Sequence, residues 1–225
     1  MRINKRLLAI TDYVDDNSNI IDVGCDHALL DIYLVQNKKN VFCIASDINE
    51  GPLEQARKNI EKYNLEDKIK TKLGNGIEPI EQNIDTIIIS GMGGSTITEI
   101  LKNKDKLINV KKIILSPNND FYKVRKTMNK MRYKIICEKM ILDRGKFYPI
   151  IVLEKGIERL NRRKLLYGSC VKNNDDYKKY IFYLKDNLEF KLNSIPKKYI
   201  IKRFLIKKQI SFLCKNDWII NGLII

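Results

Sequence analysis

The residues best suited to chemistry are gathered in one stretch, IIDVGCDHALLD, residues 20–31. Gly24 ends an apolar run, Asp26 stands two residues on, and His27, the only histidine of the chain, follows. A second loop acid, Asp47, comes after the next apolar run. A carboxylate at the end of a second strand can grip paired ribose hydroxyls through charged hydrogen bonds worth roughly 1.5–3 kcal/mol. A glycine at the first turn lets a ligand approach the backbone closely.

The first turn also limits which ligand that is. A nicotinamide dinucleotide needs G-x-G-x-x-G, so that backbone N–H groups and a helix start face its pyrophosphate. Here the second glycine is replaced by Asp26, whose carboxylate repels phosphate. S-adenosylmethionine has no phosphate and carries a sulfonium cation, which tolerates or gains from an acid at that place. His27, with no clustered ligands, offers no metal centre; it orients the loop or belongs to the first helical turn.

These residues need elements to place them. Apolar runs at Ile20–Val23, Val41–Ala45, Ile69–Leu73, Ile84–Ile89, Lys112–Leu115, Tyr133–Ile141 and Tyr148–Leu153 read as strands. Between them, Leu53, Ala56, Ile60 and Tyr63 recur at helical spacing, as do Ile97, Ile100, Leu101 and Leu107 across one predicted helix. Such alternation predicts an α/β fold: a Rossmann-like, mostly parallel sheet covered on both faces, with the last two runs as a terminal antiparallel hairpin. Ligands of such sheets sit beyond the carboxyl ends of the strands. The turns there are GCDHA, Asp47 with NEGP, Gly74-Asn75-Gly76, Ser90–Gly94 and Ser116–Asp120.

Beyond residue 155 the pattern changes. Ile181, Leu184, Leu188, Leu192 and Ile195 form a helical run, Pro196 breaks it, and Ile206, Ile210 and Leu213 resume it. Two helices folded into a coiled-coil-like hairpin are expected, giving domains 1–155 and 156–225. The chain has 42 Lys+Arg against 27 Asp+Glu, and residues 155–225 alone hold 17 basic and 6 acidic side chains, a net +11 of the total +15. A basic appendage meeting a polyanion is the functional reading, and a lysine-rich codon bias the bland one. No apolar run nears the ~20 residues of a membrane span. Five cysteines (Cys25, Cys43, Cys137, Cys170, Cys214) without C-x-x-C spacing suit reduced thiols of a cytoplasmic protein.

The segments DVGCDHALL, GPLEQARKN, LGNGI, IISGMGG, LSPNND and DRGKFYPIIV, in this order, resemble the bacterial tRNA (adenine-22-N1)-methyltransferase family over about residues 5–155. Asp31 stands where that family commonly has proline, and Asp47 where it often has Glu. The resemblance implies S-adenosylmethionine as donor, S-adenosylhomocysteine as product and tRNA as partner, with no metal and no membrane, and a monomer is expected. Gly24, Asp26 and His27 would border the methionine part, Asp47 and Ile48 the ribose and adenine edge, and Asn75 and Gly76 the adenine. Gly91, Met92, Gly93 and Gly94 would floor the meeting place of methyl and base, with Asp26 the favoured catalytic carboxylate.

Arg2, Lys5 and Arg6 beside the cleft, Gly94, Pro117 and Asn118 on its rim, and Phe147 and Tyr148 as stacking groups are the candidate substrate contacts. The other readings are transfer to a different RNA base or to a protein, a nicotinamide-dependent oxidoreductase, and a catalytically silent RNA-binding protein on the same scaffold.

Overall fold

The computed structural model describes residues 3–169, 171 and 174–214. Seven strands form one sheet: β1 (Asn19–Val23), β2 (Phe42–Asp47), β3 (Ile69–Leu73), β4 (Thr86–Ser90), β5 (Lys112–Ser116), β6 (Tyr133–Asp143) and β7 (Lys146–Lys155). Their order is β3-β2-β1-β4-β5-β7-β6, with β1 to β5 parallel and β7 antiparallel to both of its neighbours. The terminal hairpin turns on Arg144 and Gly145, at φ 47° and 76°, the two left-handed positions that a two-residue type I′ loop requires.

The central strands are buried on both faces, which explains their continuous apolar runs. On one face α1 (Lys5–Thr11), α2 (Leu29–Asn37) and α3 (Glu50–Lys62) supply Leu7, Ile10, Leu30, Ile32, Leu34, Leu53, Ala56 and Ile60 to the core. On the other, Ile97 of α4 (Gly94–Ile100) and Val124 and Met128 of α5 (Phe121–Lys130) pack against Ile87, Ile89, Ile113 and Leu115. The single helix expected through Leu107 ends instead at Ile100, and a separate short 3-10 turn covers Lys104–Leu107. Leu101 and Leu107 are both buried in this core. Six residues apart on one continuous helix they would point about 120° apart, and the break lets both reach the core.

The chain divides into two compact units, Met1–Val171 and Lys172–Ile225. The first runs past the expected boundary at 155 because a buried arginine anchors the following segment. Arg125 of α5 is 1% exposed and forks onto Glu138 of β6, Nε to Oε1 at 2.9 Å and Nη2 to Oε2 at 3.1 Å. Its Nη1 donates to the Leu165 carbonyl at 2.9 Å, within the short helix α6 (Arg162–Tyr167). Ser169 is tied to Glu158 at 2.8 Å, and Val171 bridges to Glu138. The second unit is a helical hairpin of α7 (Asp175–Ser194) and α8 (Ile200–Cys214). Arg203 closes the end of α7 by donating to the Leu192 and Ile195 carbonyls at 2.7 and 2.5 Å.

Removing one member of the Arg125–Glu138 pair strands a buried charge. Arg125→Met should cost about 3–5 kcal/mol in urea unfolding, and adding Glu138→Leu should recover most of that loss. A double variant no more stable than the single one would show that the carbonyl contacts, not the charge, carry the anchor.

Candidate active site

The register of the parallel strands brings five loops to one rim. In the loop after β1, the Gly24 and Cys25 N–H groups both donate to the Ser46 carbonyl of β2, at 2.8 and 3.1 Å. Neither is left for a phosphate. Gly24 sits at φ 76°, and a Cβ there would overlap the Met92 methyl of the fourth loop. Asp26, His27 and Ala28 follow at φ 36°, 67° and 58°. Three consecutive non-glycine residues in the left-handed region cost on the order of 1–3 kcal/mol each. The turn is held by Ala28 N–H to the Cys25 carbonyl at 2.9 Å and by Asn59 of α3, which donates to the His27 carbonyl at 2.9 Å. It presents the Asp26 carboxylate to solvent, 77% exposed, with Oδ1 3.6 Å from His27 Nε2.

Asp47 accepts the Asn49 N–H at 2.9 Å, and its carbonyl accepts that of Gly74 at 3.0 Å. Neighbouring Ile48 is exposed. The third loop turns at Gly76, φ 59°, where a Cβ would stand 2.9 Å from Ile100 Cγ2; Asn75 N–H meets Glu78 at 3.2 Å.

The fourth and fifth loops are sewn together. Asn118 N–H donates to the Met92 carbonyl at 2.8 Å, and Asn118 Nδ2 to the Gly91 carbonyl at 2.5 Å. Asn119 Oδ1 accepts Gly94 N–H at 3.0 Å and lies 3.3 Å from where a Gly93 Cβ would be. From α1, Arg6 Nη1 reaches Asn118 Oδ1 at 3.2 Å while its guanidinium carbon lies 4.8 Å from the Tyr148 ring centroid, within cation–π range.

Some candidate contacts are set apart. Phe147 and Tyr148 are consecutive in β7, opposite Leu142 and Ile141, so they face opposite sides of the sheet and cannot stack on one base together. Tyr148 is the one beside Arg6. Lys5 reaches instead to the Leu142 carbonyl at 3.4 Å, and Pro117 is buried. Arg2 and Cys170 lie outside the described residues, as does the side chain of Cys214.

Beneath the first loop lies a feature the sequence reading passed over. Asp22 of β1 and Asp31 of α2 are 3% and 0% exposed; Asp22 Oδ1 is buried without a hydrogen-bond partner, and the Asp31 carboxyl faces the Cys43 thiol. Burial raises the Asp31 carboxyl to about 7. Burial, then repulsion from Asp31 and Asp26, holds Asp22 well above the ordinary carboxylate range. The Cys25 and Cys43 thiols are pushed up by burial and then by Asp31 and Asp22. The available signal was an acid interrupting each of two apolar runs, Ile20–Val23 and Leu29–Val35.

A methyltransferase domain family matches residues 3–151. The chain is 37% identical over 158 residues to the tRNA (adenine(22)-N(1))-methyltransferase of Bacillus subtilis, a match spanning 69% of this chain and 66% of that protein. The structure of M. capricolum TrmK in complex with S-adenosyl-homocysteine superposes with a TM-score of 0.83 at 32% identity, covering 96% of this chain and 97% of that one. The chain belongs to the tRNA (adenine(22)-N(1))-methyltransferase family. A Streptococcus pneumoniae protein in complex with S-adenosyl-L-methionine matches equally well, with a TM-score of 0.84 at 30% identity over 95% of this chain and 99% of that one. Among the described residues of this methyltransferase no cluster of three His, Cys, Asp or Glu side chains could hold a metal, and no helix is long and apolar enough to cross a membrane.

The buried acids have a signature in stability. Asp31 ionises near 3.8 when unfolded and near 7 when folded. Between those values the unfolded chain binds fewer protons, so stability falls as pH rises from about 4, and the penalty is complete above about 7. Asp31→Asn should therefore raise the thermal midpoint by several degrees at pH 8 and change it little at pH 4.5, read by circular dichroism. Equal shifts at both pH values would mean that Asp31 is not held neutral.

Proposed function

We propose that this chain transfers the methyl group of S-adenosylmethionine to N1 of adenine 22 in tRNA. The observation that carries the reading is the strained first loop: the Gly24 and Cys25 amides are consumed by Ser46, and its acid is held out into solvent. That arrangement suits a cationic ligand and rejects a phosphate.

The residues fit the cofactor. Asp22 Oδ1 is an acceptor without a partner, suited to the ammonium of the methionine end. Asp47 can take the ribose hydroxyls, with Ile48 beside it, and Asn75 and Gly76 the adenine. Gly91 and Gly93 leave the floor free of side chains, Gly94 is buried where a Cβ would strike the Asn119 carbonyl and Val124, and Met92 reaches toward Gly24. When bound, S-adenosylmethionine supplies an electrophilic methyl on a sulfonium.

Attack by a ring nitrogen lone pair needs no enzyme nucleophile, so the chain's task is alignment and charge. Alignment alone can lower the barrier by about 7–11 kcal/mol. The adenine becomes cationic as N1 is methylated, and the Asp26 carboxylate stabilises that charge or accepts a proton of the exocyclic amine. Arg6, Tyr148 and Asn118 brace the side of the rim where the base must enter, because an extruded base is reached more readily than a stacked one. The helical hairpin supplies phosphate contacts through Lys197, Lys198, Lys202, Arg203, Lys207 and Lys208; residues 190–214 contain no acid. We place the protein in the cytoplasm, where its buried free thiols Cys25 and Cys43 stay reduced, and as a monomer.

Methyl transfer to unmodified tRNA transcripts carrying A22 or G22 tests the reading: 1-methyladenosine should form on the first only. Asp26→Ala should lower kcat about 10²–10³-fold while leaving S-adenosylhomocysteine affinity within about twofold. A wild-type rate in that variant would remove Asp26 from the mechanism. Exchanging Lys197, Lys198, Lys202 and Lys207 for Ser should weaken tRNA binding and flatten its log–log salt dependence by roughly 0.7–0.9 per lost phosphate contact. An unchanged slope would leave the hairpin without an RNA role.

A further inference from the structure

Arg6 is held in place by three elements, none of which neutralises it. Its guanidinium lies over the Tyr148 ring, 4.8 Å from the centroid, and its Nη1 donates to Asn118 Oδ1 at 3.2 Å. Asn118 is fixed in turn through Nδ2 to the Gly91 carbonyl. Gly91, at φ 82°, leaves the slot that the guanidinium borders: a Cβ there would stand 3.4 Å from Nη2 and 3.9 Å from Nη1. Among the described residues Arg6 makes no other hydrogen bond and no ion pair. Tyr148 reaches this place because the terminal hairpin outruns the sheet. The last β5–β7 pair is Leu115 with Ile151, and from there back to Lys146 β7 has only β6 beside it. Tyr148 thus stands three residues, about 10 Å, past that pair, beside the fifth loop. Lys5 ties the same hairpin to α1 through the Leu142 carbonyl.

A guanidinium stacked on a ring keeps its edge donors free, and the chemistry of the site decides what they take. N1 of the adenine must keep its lone pair for the methyl group, and the base becomes cationic as it reacts. A group with donors only and a fixed positive charge suits neither. The anion that arrives with the base is its phosphate, which an arginine fork matches with two parallel hydrogen bonds. We propose that Arg6 takes a phosphate flanking the target adenine once the base is extruded, with Tyr148 and Asn118 as positioning residues that hold the fork at the rim. The proposal rests on the RNA methyl-transfer reading of this same site. The contact forms only with the nucleotide out of its stack, so its loss lowers kcat more than it raises KM.

The test pairs variants of the full chain with tRNA assembled by ligation to carry a neutral methylphosphonate immediately 5′ or 3′ of A22. On unmodified tRNA the wild-type chain should form 1-methyladenosine; no product there would overturn the functional reading and this proposal together. At one of the two positions the methylphosphonate should lower the wild-type kcat about 10- to 100-fold, the worth of a charged hydrogen bond. Arg6→Met should lose a similar factor on unmodified tRNA, and the two losses should not multiply when combined. Arg6→Lys, which keeps the charge without the fork, should fall between, and it carries the same cycle if Arg6→Met does not fold. Tyr148→Leu should lose part of the rate, and Tyr148→Phe, which restores the ring, should recover most of it. S-adenosylhomocysteine should bind every variant as it binds the wild type. With the wild type active, losses that multiply at both positions, a methylphosphonate without effect at either, or a Tyr148→Phe chain as slow as Tyr148→Leu would each overturn the proposal and leave the functional reading in place.

Discussion

The rim depends on where the first two loop amides go. Gly24 and Cys25 both donate to the Ser46 carbonyl, so the chain leaving β1 is pinned to β2 before it can begin a helix. A nucleotide-binding turn would send those amides outward. With them engaged inward, the next three residues can complete the reversal only in the left-handed region, and that is how Asp26 comes to stand in solvent rather than against the sheet. Asn59 and the Cys25 carbonyl hold a geometry that the residues themselves disfavour. The remaining loops repeat the device at lower strain, each fastened to its neighbour: Gly74 to Asp47, Gly91 to Ser116, and Gly94 to Asn119.

Such fastening explains what was legible beforehand. A strand buried on both faces leaves an apolar run of fixed length, and the parallel architecture follows from the helices between runs. The loop residues could then be read off as those following each run, which located Gly24, Asp26, Asp47, Asn75, Gly91 and Asn118 at one rim. Facing relations were not legible. Periodicity says that Phe147 and Tyr148 alternate, yet only the pairing of β7 with β6 shows Tyr148 under Arg6. An arginine on an amphipathic helix reads as a solvated residue; Arg125 is instead the centre of a buried network that carries the first unit to Val171. Asp22 and Asp31 each look like an isolated polar interruption, because the sequence does not show that both are buried and that Asp31 acts on Asp22.

Charge is divided between the two units. The second is strongly basic, while the loops of the first present acids, Asp26 and Asp47 at the surface and Asp22 and Asp31 beneath. A polyanionic substrate would be repelled by those acids if they were its principal contacts, so its affinity has to come from cations elsewhere on the chain. The loop acids are free to serve the small cationic groups of the reaction.

Positive charge passes between those groups during turnover in a way that favours this division. The donor enters with a sulfonium and an ammonium, and the methylated adenine leaves as a cation, while the product of the donor keeps only its ammonium. A fixed carboxylate near the sulfur therefore loses an attractive partner at the moment the base acquires positive charge. Asp26, exposed and unrestrained by any hydrogen bond shorter than its 3.6 Å approach to His27, can follow that charge. Asp22 is buried and cannot. The strain in the first loop separates these two carboxylates, four residues apart in sequence: Asp26 stands exposed at the turn, and Asp22 lies buried in β1.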